Sequence, residues 1–277
     1  EGVSYYDYRP MVSFMAVCIM EENGKMENGY AGRSYRKGFE FMTDDVVDVI
    51  AREVVDRTAI LFKAIKPKGG EMPVVMGSGG SGILLHEAIG HAFEADFNRK
   101  DISIFAGQLN KKVCNEHINV VDDGTIPFNR GSVNFDDEGV EGQKTYIVKE
   151  GVLTSYLHDR ISAKHYGVEP TGNGRRESFR NMPIPRMRAT YMEAGNVSES
   201  DIISSVKKGI FVDNFTNGQV QIGAGAQACG GDQVGLAGNV LEHKGGVVDL
   251  IQSQHDRYFL YFFVMSSSIS YKNCFVK

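Results

Sequence analysis

No CxxC pair occurs in this chain, and its four cysteines, Cys18, Cys114, Cys229 and Cys274, lie far apart. A disulfide framework is not expected in a chain of 277 residues with so few. Reduced, mostly buried thiols and a cytoplasmic setting fit better. Long apolar runs are missing too. The longest near the end, Tyr258 to Met265, falls far short of the ~20 residues a membrane span needs. The opening Glu1-Gly2-Val3-Ser4 has neither the basic nor the apolar region of a signal peptide and no initiator Met, so the chain reads as a fragment or processed product. There is no general excess of positive charge. The formal net charge is −5, which argues against a nucleic-acid partner.

What remains is ordinary globular material, 42% hydrophobic and 23% charged. Residues 11–20 are mainly apolar, Glu21-Glu22-Asn23-Gly24 is turn chemistry, and an apolar pattern resumes from Tyr30 to Phe41, which predicts strands joined by a hairpin. Thr43-Asp44-Asp45 caps a helical pattern running through Val46, Val47, Ile50, Val54, Thr58, Leu61 and Phe62, closed by Lys66-Pro67-Lys68-Gly69-Gly70. A short strand at Pro73–Met76 then leads through glycines into a second helix from Ile83 to Glu94.

Beyond Phe97 short strands dominate: Ile118–Val121, Lys144–Lys149, Val152–Ser155, Thr190–Met192, Ile210–Val212 and Gln219–Ile222. Helices are predicted at Leu157–Tyr166 and Ser198–Lys208, and a loop over Pro170–Pro185. The class is α+β: a mixed helix and strand part carrying the metal-binding helix, then a mainly antiparallel β part. Three segments follow from this, 1–70, 71–222 and a Gly-rich 223–277 in which the strand pattern is lost.

The chemistry concentrates at His86-Glu87-Ala88-Ile89-Gly90-His91. Neutral imidazoles are good zinc ligands, and a carboxylate beside them suits a general base. The common metallopeptidase motif places its histidines four apart, on one helix face. Here they are five apart, roughly 500° of rotation, which would leave them about 140° out of register on a regular α-helix. One extra residue in the turn, a π-bulge, restores alignment. Gly90 is where distortion costs side-chain sterics least, so a break is predicted at Ala88–Gly90.

Two rival readings accompany this one. The trio could be a surface cluster, or buried polar groups satisfied without a metal. Gly77-x-Gly79-x-x-Gly82 also matches the dinucleotide fingerprint between a strand and a helix. Against that, 97–105 offers no second strand ending in an acid, and Asp122-Asp123 comes too late. His117, His158, His165, His243 and His255 show no ligand-like spacing and read as structural or surface groups.

With its neighbouring blocks this helix resembles the TldD/PmbA family of metallopeptidases, specifically the TldD-type catalytic subunit. The blocks are Gly77–Gly82, Glu94–Lys100, Asp136-Asp137-Glu138-Gly139-Val140 with Gly142-Gln143, Pro170–Ser178 and Pro185-Arg186-Met187. The likeness runs over roughly residues 1 to 222. A His-Glu-x-x-Gly-His segment alone is weak, since dipeptidyl peptidase III enzymes use similar spacing; the flanking blocks make the resemblance specific.

It implies a zinc (Zn2+) peptidase acting on unfolded or extended peptides admitted to an internal channel, with His86 and His91 as ligands and Glu87 as general base. It also implies a dimer, of identical chains or with a PmbA-like partner. The first segment would be the C-terminal portion of the family's N-terminal α/β domain. The family's third ligand is a cysteine in a Cys-Gly-Lys-x-Gly-Gln segment. Cys229-Gly230-Gly231-Asp232-Gln233 echoes it loosely, and Glu94 and Asp96 are the stand-ins. A peptide-binding subunit of the same fold without a complete zinc site is the alternative. Asp136–Gly139 reads as an acidic turn, or as a support for the site or a substrate contact. Arg175 and Arg176 read as a solvated loop or as forks for peptide carbonyls and carboxylates.

Overall fold

A computed structural model of the protein describes residues 2–65, 73–78, 82–215 and 236–242. Strands β1 (Val12–Glu22) and β2 (Lys25–Tyr35) form an antiparallel hairpin. Its two-residue loop is Asn23-Gly24, both with positive φ (52° and 78°), the combination a type I′ turn demands. The expected strand resumption at Tyr30 therefore begins earlier, at Lys25. Phe14, Ala16, Cys18 and Ala31 on one face pack against Val46, Ile50 and Val54 of helix α1 (Asp44–Leu61). Thr43 caps that helix, its hydroxyl accepting from the Val46 amide, and Asp44 and Asp45 sit in the first turn, where the helix dipole favours them.

Strand β3 (Val74–Met76) runs parallel to β10 (Lys208–Phe215). On its other side β10 pairs antiparallel with β11 (Leu236–Glu242). Strand β11 falls inside the stretch after Ile222 in which the strand pattern was expected to vanish. The strand expected at Gln219–Ile222, Gly79–Ser81 of the glycine run, and Cys229 and Cys274 lie outside the described residues.

The antiparallel sheet expected of the later part is present, with strand order β6 (Val152–Leu153), β5 (Lys144–Lys149), β4 (Val120–Asp123), β9 (Thr190–Met192). The main core lies on it. Val120, Ile147, Val148, Leu153, Tyr156, Leu157 and Met192 pack with Leu85 and Phe93, the apolar residues on either side of the histidine segment. Burying each such side chain contributes about 1.5–3 kcal/mol, so the segment is anchored at both ends.

Two helices are shorter than their sequence patterns. Helix α4 spans Arg160–Tyr166 rather than starting at Leu157. Leu157 is held extended beside Glu94 in a parallel bridge, and Asp159 closes a capping box with Ser162. Helix α5 spans Glu199–Ser205 with Ser198 as its cap, and Lys208 opens β10 instead of ending the helix. Two-residue strands β7 (Gly174–Arg175) and β8 (Ile184–Pro185) pair across the loop expected at Pro170–Pro185. Cys18 and Cys114 are free and partly buried. No helix among the described residues is long and apolar enough to cross a membrane.

Candidate metal centre

The predicted distortion is present. Helix α2 (Gly82–Leu85) gives way to a π turn over His86–Gly90 and then to a 3₁₀ turn over His91–Phe93, before helix α3 (Ala95–Arg99). The His91 amide donates to the His86 carbonyl, the i to i−5 bond that defines a π turn. The extra residue brings the two imidazoles onto one side. Their ring centroids lie 4.7 Å apart at 79°, and one ligand atom from each of His86, Glu87 and His91 falls within 4.8 Å of the others.

Gly90 plays a different part from the one its flexibility suggested. Its φ is −56° and ψ −52°, ordinary right-handed values open to any residue. A Cβ there would instead run into the sulfur of Met187, which is buried in the main core. The glycine is needed for space.

Beneath His91 lies Glu94, fully buried. Its Oε2 stands 3.2 Å from His91 Nδ1 and accepts from Arg186 Nη1 at 2.8 Å, while Oε1 has no protein partner. Among the described residues the metal-capable group is His86, Glu87 and His91, so neither Glu94 nor Asp96 joins it. Glu94 backs a histidine, and Asp96 is buried further along, its carboxyl pushed up by burial and then by the Glu94 charge. His86 has its basicity lowered, first by burial and then by the neighbouring His91. His91 is raised, chiefly by Glu94. A neutral His86 is the form that offers a lone pair to a metal.

Arg175, on β7, lies close enough for its charge to add to the lowering of His86. Arg176 is drawn elsewhere, its amide and Nη2 both donating to Asp137. Asp136 is an acidic turn with a mechanical role. Its Oδ1 accepts from the amides of Glu138 and Val140, and its Oδ2 from the amide of Gly174, fixing the start of the strand that carries Arg175. Of the remaining histidines, His117 and His165 are exposed and His158 is buried against Tyr156 and Tyr166; His243 and His255 lie outside the described residues. Sequence reading left Arg186 and Met187 without roles, and their only signal was membership of the Pro185-Arg186-Met187 block.

Residues 69–240 match the family model described as the PmbA/TldA metallopeptidase C-terminal domain, and residues 1–62 match that of the central domain. A metalloprotease TldD homolog of Haemophilus influenzae is 44% identical over 230 residues, 81% of this chain and 48% of that protein. A zinc metalloprotease TldD homolog of Saccharolobus solfataricus is 35% identical over 67% of this chain and 42% of that protein. The crystal structure of TldE from Thermococcus kodakarensis shares the fold, with a TM-score of 0.63 at 23% identity, covering 75% of this chain and 46% of that one. The chain spans about half the length of the curated relatives it matches. A π-distorted His-Glu-x-x-Gly-His segment, in a chain whose residues 1–62 and 69–240 match these two models, identifies the chain as a member of the PmbA/TldD metallopeptidase family.

Proposed function

We propose that this chain belongs to a zinc-dependent peptidase that hydrolyses peptide bonds in unfolded or extended peptides. The observation that carries this reading is the π turn that gathers His86, Glu87 and His91 on one side. Two imidazoles beside a carboxylate suit zinc, whereas calcium and magnesium favour all-oxygen sites. When bound, zinc supplies Lewis acidity that acidifies a water and polarises a carbonyl. His86 and His91 would hold it through ring nitrogens. Glu87 takes a proton from the attacking water at its carboxylate and passes it to the departing amine.

Arg175 offers a forked donor to peptide carbonyls or a carboxylate beside His86, and Arg176 is a second candidate contact one residue on. An extended peptide would lie along an open strand edge, where backbone hydrogen bonds hold it irrespective of sequence. We assign the protein to the cytoplasm and to a dimer, of identical chains or with a PmbA/TldD-like subunit.

Catalytic zinc sites commonly use three protein ligands, and Cys229 is the proposed third. Cys229 lies outside the described residues, and the alternative reading is a peptide-binding subunit of the same fold that does not retain zinc. Metal analysis separates the two. Stoichiometric zinc in the purified protein, lost in His86→Ala, supports the peptidase. No zinc at saturating metal, with peptide binding intact, supports the binding subunit.

A further inference from the structure

Resting on the zinc reading of His86 and His91, we infer that Glu94 is a positioning residue: it accepts a hydrogen bond from Nδ1–H of His91 and so dedicates Nε2 of that ring to the metal. An imidazole has two possible ligand atoms, and a free ring chooses between them by tautomer and rotation. At His91 the choice is removed. Glu94 Oε2 stands 3.2 Å from Nδ1, and a buried carboxylate accepts but does not donate when ionised. Nδ1 is thereby the protonated nitrogen, and Nε2 carries the free lone pair.

The carboxylate is itself held from several directions. Arg186 Nη1 donates to the same Oε2 at 2.8 Å, giving this fully buried charge the partner it needs. The backbone around Glu94 is tied to the core, with the Ala95 amide donating to Leu157 O and the Leu157 amide to Phe93 O, each at 3.0 Å. Arg186 is tied in turn. Its amide donates to Asn173 O, and Asn173 Nδ2 donates both to Arg186 O and to Asp122 Oδ2 on β4. A continuous series, Asp122 to Asn173 to Arg186 to Glu94 to His91, connects the central sheet to one imidazole. Nothing comparable among the described residues backs His86, which is partly open to solvent even though the groups packed on it lower its basicity.

The first test needs no substitution. In full-length protein carrying ¹⁵N-labelled histidine and loaded with cadmium-113, one-bond metal coupling should appear at His91 Nε2, with a proton on Nδ1. Coupling at Nδ1 overturns the proposal. In parallel, zinc affinity is measured by chelator competition. Glu94→Ala should weaken zinc binding by about 10–100-fold. Glu94→Gln, which keeps an acceptor oxygen facing His91 and puts its amide where Oε1 has no partner, should recover most of that loss. Unchanged affinity in Glu94→Ala, or equal losses in both variants, refutes the role. His86→Ala is the control for the underlying reading. If it leaves zinc binding intact, the site itself is misassigned. If it abolishes binding while Glu94→Ala has no effect, only the positioning role falls.

Discussion

The sulfur of Met187 occupies the space that a side chain on Gly90 would need. One residue ends the π turn, and the other precedes β9 nearly a hundred positions later. Gly90→Ala should therefore cost stability by overpacking, about 1–3 kcal/mol, although the backbone there suits alanine. Urea denaturation of Gly90→Ala, Met187→Ala and the double variant checks this. The double variant should lose at least about 1 kcal/mol less than the sum of the singles, and strict additivity would show that the two do not collide.

Glu87 is the group proposed to move a proton. Glu87→Gln should lower kcat for peptide hydrolysis by about 10²–10⁴-fold while zinc content stays at the unsubstituted level. A matching fall in bound zinc would make Glu87 a ligand instead.

Asp122 holds three segments together. Its carboxylate accepts from the Arg188 amide, the Thr190 hydroxyl and Asn173 Nδ2, all around a group only 1% exposed. Asp122→Ala strands those donors in the core and should cost about 3 kcal/mol or more. Chemical denaturation gives the value. A loss below about 0.5 kcal/mol, the range of an ordinary surface change, would contradict the network.

Stability should fall as pH drops below neutrality, with His158 contributing. Burial pushes its pKa down from 6.5 to about 4. Below about pH 6.5 the unfolded chain takes up a proton at this ring that the folded chain refuses until about pH 4, so protonation favours unfolding. Between pH 7 and pH 5 the loss from this group is roughly 2 kcal/mol. The unfolding free energies of the parent and His158→Gln, compared at the two pH values, isolate it. Identical pH slopes would mean that His158 titrates normally in the fold.

Local rules carried much of the reading. The Asn23-Gly24 hairpin, the Thr43 cap, the extent of β5 and the distortion between His86 and His91 depend on residues within a few positions of one another. Turn geometry, capping and helical phase operate over that range. The five-residue spacing alone required an extra residue in the turn if both rings were to serve one ion.

Tertiary packing decided the rest. That Arg186 neutralises Glu94, three positions beyond the His91 it backs, and that Gly90 makes room for Met187 are contacts between a helix near residue 90 and a segment near residue 187. Arg175 and Arg176 are adjacent in sequence and equal in charge. Only the fold sends one to the Met187 carbonyl, near enough for its charge to reach His86, and the other to Asp137. Sequence carries the local conformational preferences of each segment, whereas partners for a buried charge or a filled space come from whatever the folded chain brings alongside, and no spacing rule encodes that.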